Sequence, residues 1–318
     1  MSPEPVIGLD AGGTKLIAGA LDGESEVHHR VYRRWGGGDR DEVLATMVEA
    51  VDELRAELPG VAAVGFGIPS LVEAAAGVSV SSVHLPLADV PFRDIMRERL
   101  GLPVFVDNDV NLAALAEQRL GAARGARVVV MLTVGTGIGG AIVIDGKVFR
   151  GADGAAGELG HMTVDLNGPP CQGNCPNRGC LEVMASGSAI GREGERVAGE
   201  VPASALGRAL AQGVPITGEL VTDFALRGDL EAQEVLSLVG MRLGAGLVGI
   251  VNAFNPDAVV IGGGASRAGD LLLDPARHVV ASRALRPSRD TARIVPAAFG
   301  EDAGMIGAAL FAREGGSS

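Results

Sequence analysis

The chain has 318 residues, 47% hydrophobic and 21% charged, a balance of globular proteins rather than disordered ones. Its formal net charge is -12. A field of that sign repels phosphate backbones and anionic membrane surfaces, so neither nucleic acid nor a membrane is an expected partner.

Met1 to Asp10 holds no basic region followed by an apolar stretch and does not read as a signal peptide. Val6 to Asp10 reads as a strand, Ala11 to Thr14 as a turn and Leu16 to Leu21 as a second strand. After a polar stretch, Asp41 to Leu58 carries Val43, Leu44, Met47, Val48, Val51, Leu54 and Leu58 at helical spacing. Asp39 or Asp41 is placed to cap this helix, and Pro59-Gly60 ends it. Val61 to Ile68 is a predicted strand running into a Pro-Ser loop, followed by a helix over Phe92 to Leu100. The strand Val104 to Asp107 then leads through Asn108 and Asp109 into a predicted helix over Val110 to Leu120. Strands and helices alternating in this way predict an α/β fold with a mostly parallel sheet.

The pattern restarts with a strand over Val128 to Val134, a turn at Gly135-Thr136-Gly137 and a strand over Gly140 to Ile144. Val128 to Ile144 is the longest uncharged run. Four glycines and two threonines interrupt it, and it is shorter than the ~20 apolar residues of a membrane-spanning helix. With no export or anchoring segment in view, the expected location is the cytoplasm. The repeated strand–turn–strand unit suggests an internal duplication with its boundary between Gly121 and Gly125. Further on, a long apolar helix is predicted from about Leu230 to Phe254, and a strand over Ala258 to Ile261 runs into Gly262-Gly263-Gly264. A closing helix runs from Asp302 to Ala312. The expected domains are a smaller N-terminal α/β domain, 1–120, and a larger C-terminal one, 121–301, carrying the cysteine loop. The closing helix, 302–313, is expected to pack back on the first, and the halves to meet around a cleft.

Asp10-Ala11-Gly12-Gly13-Thr14-Lys15 follows a strand directly. Glycines let a turn approach a phosphate, backbone amides and the Thr14 hydroxyl donate hydrogen bonds, and a strand-end Asp organises Mg²⁺ through water. Gly8 to Gly13 looks like the start of a Walker A motif. Thr-Lys stands in place of Lys-Ser/Thr, however, and a strand follows, which excludes a P-loop. A plain hairpin turn is the bland alternative. Gly135-Thr136-Gly137-Ile138-Gly139-Gly140 contains GxGxxG, but the dinucleotide fingerprint needs a helix next and an acidic residue ~20 positions on. Ala141 to Gly146 reads instead as strand and turn, so a second phosphate-gripping hairpin fits better.

All three cysteines, Cys171, Cys175 and Cys180, fall within ten residues, and His161 precedes them in Glu158-Leu159-Gly160-His161. An odd, clustered set is no disulfide framework. One His and three Cys form a complete tetrahedral set for structural zinc, with no position left for a catalytic water. Asn108-Asp109 stands where open α/β sheets place active-site residues; a carboxylate there accepts the proton of an attacking hydroxyl while Asn orients it. Capping of the following helix is the alternative, and the two roles remain open side by side. His28, His29 and His278 have no acidic or cysteine neighbours in the pattern and read as surface residues.

Taken together these residues resemble the ROK family of bacterial sugar kinases, in particular its glucokinases, over nearly the entire chain. The carrying motifs are Asp10 to Lys15, Val106-Asp-Asn-Asp109 with Asn111, Thr133 to Gly140, Gly157-Glu-Leu-Gly-His161 and Cys175-Pro-Asn-Arg-Gly-Cys-Leu-Glu182. The resemblance implies an actin-like (RNase H-type) ATPase fold with two α/β domains around a cleft. It implies ATP-dependent phosphorylation of glucose to glucose 6-phosphate with Asp109 as the catalytic base. Asn108, Asp109, Glu158, His161 and Glu182 are then expected on the sugar. Asp10, Gly12, Gly13, Thr14 and Lys15, with Thr133, Gly135, Thr136 and Gly137, are expected on the nucleotide and its Mg²⁺. His161 would serve zinc with one ring nitrogen and sugar with the other, which imidazole permits. A homodimer or homotetramer is the expected assembly. Three departures stand out: Cys171 and Cys175 have three residues between them where the family has Cys-x-Cys, Ser70 replaces a common Gly, and His84 a common Asn.

Rival classes are a ROK transcriptional repressor and a non-catalytic sugar-binding module. A first strand at Val6 leaves no room in this sequence for a preceding DNA-binding domain. An aromatic content of 3%, with one Trp and one Tyr, argues against a stacking sugar-binding module. Among kinases, mannose, N-acetylmannosamine, N-acetylglucosamine and fructose are the alternative substrates.

Overall fold

A computed structural model describes residues 4–35, 38–82, 84–173 and 175–317. The first three residues of the segment screened for a signal peptide, and Val83 beside His84, lie outside the described residues. The chain forms two compact units, one of Met1–Gly125, Ala141–Ala156 and Ala298–Ser318, the other of Ala126–Gly140 and Gly157–Ala297.

The chain opens with β1 (Val6–Ala11), β2 (Lys15–Leu21), β3 (Val27–Arg34) and α1 (Arg40–Glu57). Then follow β4 (Ala63–Ile68), the hairpin β5 (Ser70–Glu73) and β6 (Val78–Ser82), α2 (Phe92–Leu100), β7 (Val104–Asn108) and α3 (Asp109–Arg119). The first sheet has the order β3-β2-β1-β4-β7. Strands β1, β4 and β7 run parallel, and β2 and β3 add antiparallel to one edge. Val6 to Leu9 and all of β4 are buried, the continuous apolar run of a strand covered on both faces. Asp39 caps α1 through a capping box: its carboxylate accepts the Asp41 and Glu42 N–H groups, and Glu42 accepts the Asp39 N–H.

Strand β3 is where the sequence offered only a polar stretch. On this edge strand, Val27, His29, Val31 and Arg33 lean inward while His28, Arg30, Tyr32 and Arg34 face out, so half its positions are polar by necessity. The expectation that His28 lacks an acidic neighbour is corrected: its Nε2 lies 2.6 Å from Asp22 Oδ2, across the turn preceding β3.

The second half brings β8 (Val128–Val134), β9 (Ile138–Ile144) and β10 (Lys147–Val148), then α4 (Leu181–Ala185), α5 (Gly187–Glu200), α6 (Ala205–Ala211) and α7 (Gly218–Leu226). It continues through α8 (Leu230–Phe254), β11 (Ala258–Gly262), α9 (Asp270–Arg283), α10 (Ser288–Thr291), β12 (Arg293–Pro296) and α11 (Ala303–Arg313). The sheet order β10-β9-β8-β11-β12 repeats that of the first sheet strand for strand. Among the described residues α8 alone is long and apolar enough to cross a membrane. Val235, Leu236, Val239, Leu243, Leu247 and Ile250 are buried along it, and it packs on α9 and α7 as the core helix of its unit. Helix α11 is buried from Ala303 to Ala312 and packs on β1, β4 and α3. It reaches the sheet closely because Gly8 and Gly65 carry no side chain; a Cβ at either would collide with α11 backbone.

Candidate active site and metal centre

In the first unit β1 and β7 flank β4 in parallel, so their carboxyl ends lie on the same edge of the sheet, the usual location of α/β active sites. Asp10 ends one strand and Asn108-Asp109 the other. Burial, reinforced by the charge of Asp109 and then by Glu301, pushes the Asp10 carboxyl up to about 8, with Lys15 opposing. Burial likewise raises Asp109, against the Val110 N–H, the nearby His84 and Asn108. Two half-buried carboxylates in mutual repulsion favour a proton or a cation, and the oxygen donors suit Mg²⁺.

Asn108 is the cap of α3: its Oδ1 accepts the N–H of Val110 at 2.9 Å and of Asn111 at 3.2 Å. Its Nδ2 donates to the Ser70 carbonyl at 3.3 Å. Asp107, two residues before Asp109, is fully engaged. It is 1% exposed, accepts Arg150 Nε at 2.9 Å and Asn111 Nδ2 at 3.0 Å, and binds its neighbour's N–H at 2.7 Å. Asp109 has no such ion pair among the described residues; its Oδ1 accepts the Val110 N–H at 3.0 Å.

The turn from Gly12 to Thr14 is closed by the Gly12 N–H donating to the Lys15 carbonyl at 2.8 Å, and Trp35 Nε1 donates to the Gly12 carbonyl at 2.9 Å. Gly13 and Thr14 are exposed and Lys15 half-buried, its Nζ 2.9 Å from Glu301 Oε1. His84 folds against Gly13: a Cβ there would stand 2.9 Å from the His84 Cβ. No spacing in the sequence brings His84 to this turn; the β5–β6 hairpin delivers it. Ser70, on the same hairpin, is buried with an Oγ that has no hydrogen-bond partner among the described residues.

In the second unit the turn Gly135–Gly137 is held from outside. Gly187 donates its N–H to the Gly135 carbonyl at 2.7 Å, and Ser188 Oγ to the Thr136 carbonyl at 2.8 Å. Glu182 Oε2 accepts the Ile138 N–H at 2.9 Å. Thr136 is exposed, and Thr133 pairs with Gly262 of β11.

His161, Cys171, Cys175 and Cys180 converge, with their four donor atoms within 4.8 Å of one another. His161 Nδ1 lies 3.5 Å from Cys171 Sγ, and Cys175 Sγ 3.9 Å from Cys180 Sγ. Tetrahedral zinc, with bonds of about 2.3 Å to sulfur and 2.0–2.1 Å to nitrogen, spaces such atoms by roughly 3.5–3.8 Å. The donor set therefore fits zinc in both chemistry and spacing, even with three residues between the first two cysteines. His161 Nε2 points away from the cluster, 4.0 Å from Glu158 Oε2. Cys180 is buried, and desolvation together with the neighbouring thiols pushes its thiol up to about 12.

Two sheets of one strand order, each with a Gly/Thr turn after its first strand, and with carboxylates at the ends of two strands of the first, define a protein of the actin-like (RNase H-type) ATPase fold. The chain belongs to the ROK family, whose model matches residues 6–315. It is 35% identical over 315 residues to a glucokinase of Halalkalibacterium halodurans, covering 96% of this chain and 94% of that one. A ROK glucokinase from Streptomyces griseus, solved with glucose and AMPPNP, superposes with a TM-score of 0.84 at 34% identity, covering 98% and 99% of the two chains. A putative xylose repressor of Caldicellulosiruptor is 35% identical over 253 residues, 78% of this chain and 62% of its own length.

Proposed function

We propose that the protein is an ATP-dependent glucokinase that transfers the γ-phosphoryl group of ATP to glucose, giving glucose 6-phosphate and ADP. Similarity over 98% of the chain, at 34% identity, to a glucokinase solved with glucose and AMPPNP carries this reading. The burial-raised carboxylate of Asp109, which among the described residues lacks an arginine partner of the kind Asp107 has, supports it. Asp109 is the proposed general base, taking the proton of the attacking sugar hydroxyl. Asn108, Glu158, His161 and Glu182 are proposed to bind sugar hydroxyls, His161 through the nitrogen turned from the cysteines. Asp10, Gly12, Gly13, Thr14 and Lys15, and Thr133, Gly135, Thr136 and Gly137, are proposed to hold the nucleotide. Mg²⁺, held through water at Asp10, would neutralise phosphate charge. Zinc at His161, Cys171, Cys175 and Cys180 is structural in this reading. The enzyme is proposed to act in glycolysis in the cytoplasm, as a homodimer or homotetramer. The test is ADP release, measured by a coupled assay, with glucose, mannose, N-acetylmannosamine, N-acetylglucosamine and fructose. The largest kcat/KM is expected for glucose; a larger value for another hexose overturns the substrate, and no release with any of them the kinase.

Lys15 and Lys147 are the only lysines in a chain otherwise supplied with arginine. The partner of Lys15, Glu301, is 75% exposed and gives up little on parting, since such surface pairs contribute about 1 kcal/mol or less. Lys15→Ala is expected to weaken ATP use by about tenfold while glucose affinity stays within about threefold. Steady-state kinetics with each substrate varied in turn checks this; unchanged ATP constants would return Lys15 to a solvated hairpin lysine.

A further inference from the structure

The cysteine loop and the second Gly/Thr turn are joined by more than proximity. Cys180 is the N-cap residue of α4, and Glu182 lies on the first turn of that helix. The Glu182 carboxylate reaches back to the turn and accepts the Ile138 N–H at 2.9 Å, 44 positions away in sequence. It occupies the space a side chain at Gly137 would fill. The other arm of the loop reaches the same place: Gly160, next to His161, packs on the Ile138 carbonyl with no room for a Cβ. Both ends of the fourfold cluster thus rest on Ile138, the residue that leaves the turn. A carboxylate-to-amide bond is charge-assisted and stronger than a neutral one, and only Leu181 separates Cys180 from the residue that makes it.

We propose that Glu182 is a positioning residue as well as a sugar ligand: it ties the zinc-bound cysteine loop to the Gly135–Ile138 turn, so that zinc and nucleotide binding reinforce each other. This rests on the reading of that turn as a nucleotide loop. Coupling between two sites is reciprocal: if zinc orders the turn for phosphates, nucleotide tightens zinc by the same factor.

The test uses zinc-loaded full-length protein and AMPPNP with Mg²⁺, in the absence of glucose, so that the sugar-binding role of Glu182 does not enter. Calorimetry is expected to show AMPPNP affinity reduced about tenfold in Glu182→Ala. In Glu182→Gln, whose side-chain carbonyl still accepts the Ile138 N–H, affinity should stay within about threefold of wild type. Chelator competition is expected to show wild-type zinc affinity rising about tenfold with saturating AMPPNP, and no such rise in Glu182→Ala. Hydrogen exchange at the Ile138 amide should be faster in Glu182→Ala and slow in Glu182→Gln. Equal AMPPNP affinity in wild type and Glu182→Ala, or wild-type zinc affinity indifferent to AMPPNP, overturns the inference while leaving the kinase reading intact. A wild-type protein that binds no AMPPNP overturns both.

Discussion

Replacing Asp109 by Asn is expected to lower turnover by roughly 10²-fold or more while glucose still binds. Phosphoryl transfer asks little covalent work of a protein; positioning and charge stabilisation carry most of it. One proton must nonetheless leave the sugar hydroxyl, and a carboxylate within ~3 Å takes it as the new bond forms. Asp109 suits that role because burial raises its pKa, which makes it a better proton acceptor than an exposed carboxylate. An amide in place of the carboxylate would keep the shape and the cap at Asn108, and lose only the basicity. Steady-state kinetics beside calorimetric glucose binding measures both halves of the expectation. Asp107→Asn is the control with the opposite signature: it strips the charge facing Arg150 inside the unit, so its cost falls on stability. If the Asp109 variant turned over near normally while folded Asp107→Asn were dead, the two roles would be exchanged.

The second large effect is expected from zinc. Chelation, or Cys180→Ser, should release about one zinc per chain and loosen the segment from Glu158 to Glu182. The middle of that segment buries few side chains. Of His161 and the three cysteines only Cys180 is buried, and between Leu166 and Arg178 most of the described residues are exposed. Apparent energies of structural zinc sites reach ~10 kcal/mol or more. If a third of that is lost, at about 2–4 °C per kcal/mol for a domain of 150–250 residues, melting falls by roughly 10 °C. Elemental analysis and calorimetric melting check the two statements together. Well-folded, active protein without metal would refute the structural assignment.

Much of this protein is written locally. Leu230–Phe254 and Val128–Val134 were legible because a helix and a buried strand announce themselves by apolar runs that need no knowledge of their partners. The two Gly/Thr turns were legible because glycine chemistry at a strand end is local, and the His161, Cys171, Cys175 and Cys180 cluster because all four lie within twenty residues. Strand β3 was not, since an edge strand with one wet face carries the composition of a loop until its neighbour is known. Nor was the difference in surroundings between Asp107 and Asp109, although Asp109 was the residue chosen. They stand two apart, and β periodicity assigns both to one side. Arg150, 43 positions on, sets them apart by drawing Asp107 into a buried ion pair. His84 at Gly13 and Glu182 at Ile138 are of the same kind. Which residue types could do the chemistry was set by the sequence; which of them are free to do it, and which are held, depends on partners brought together only when the chain folds.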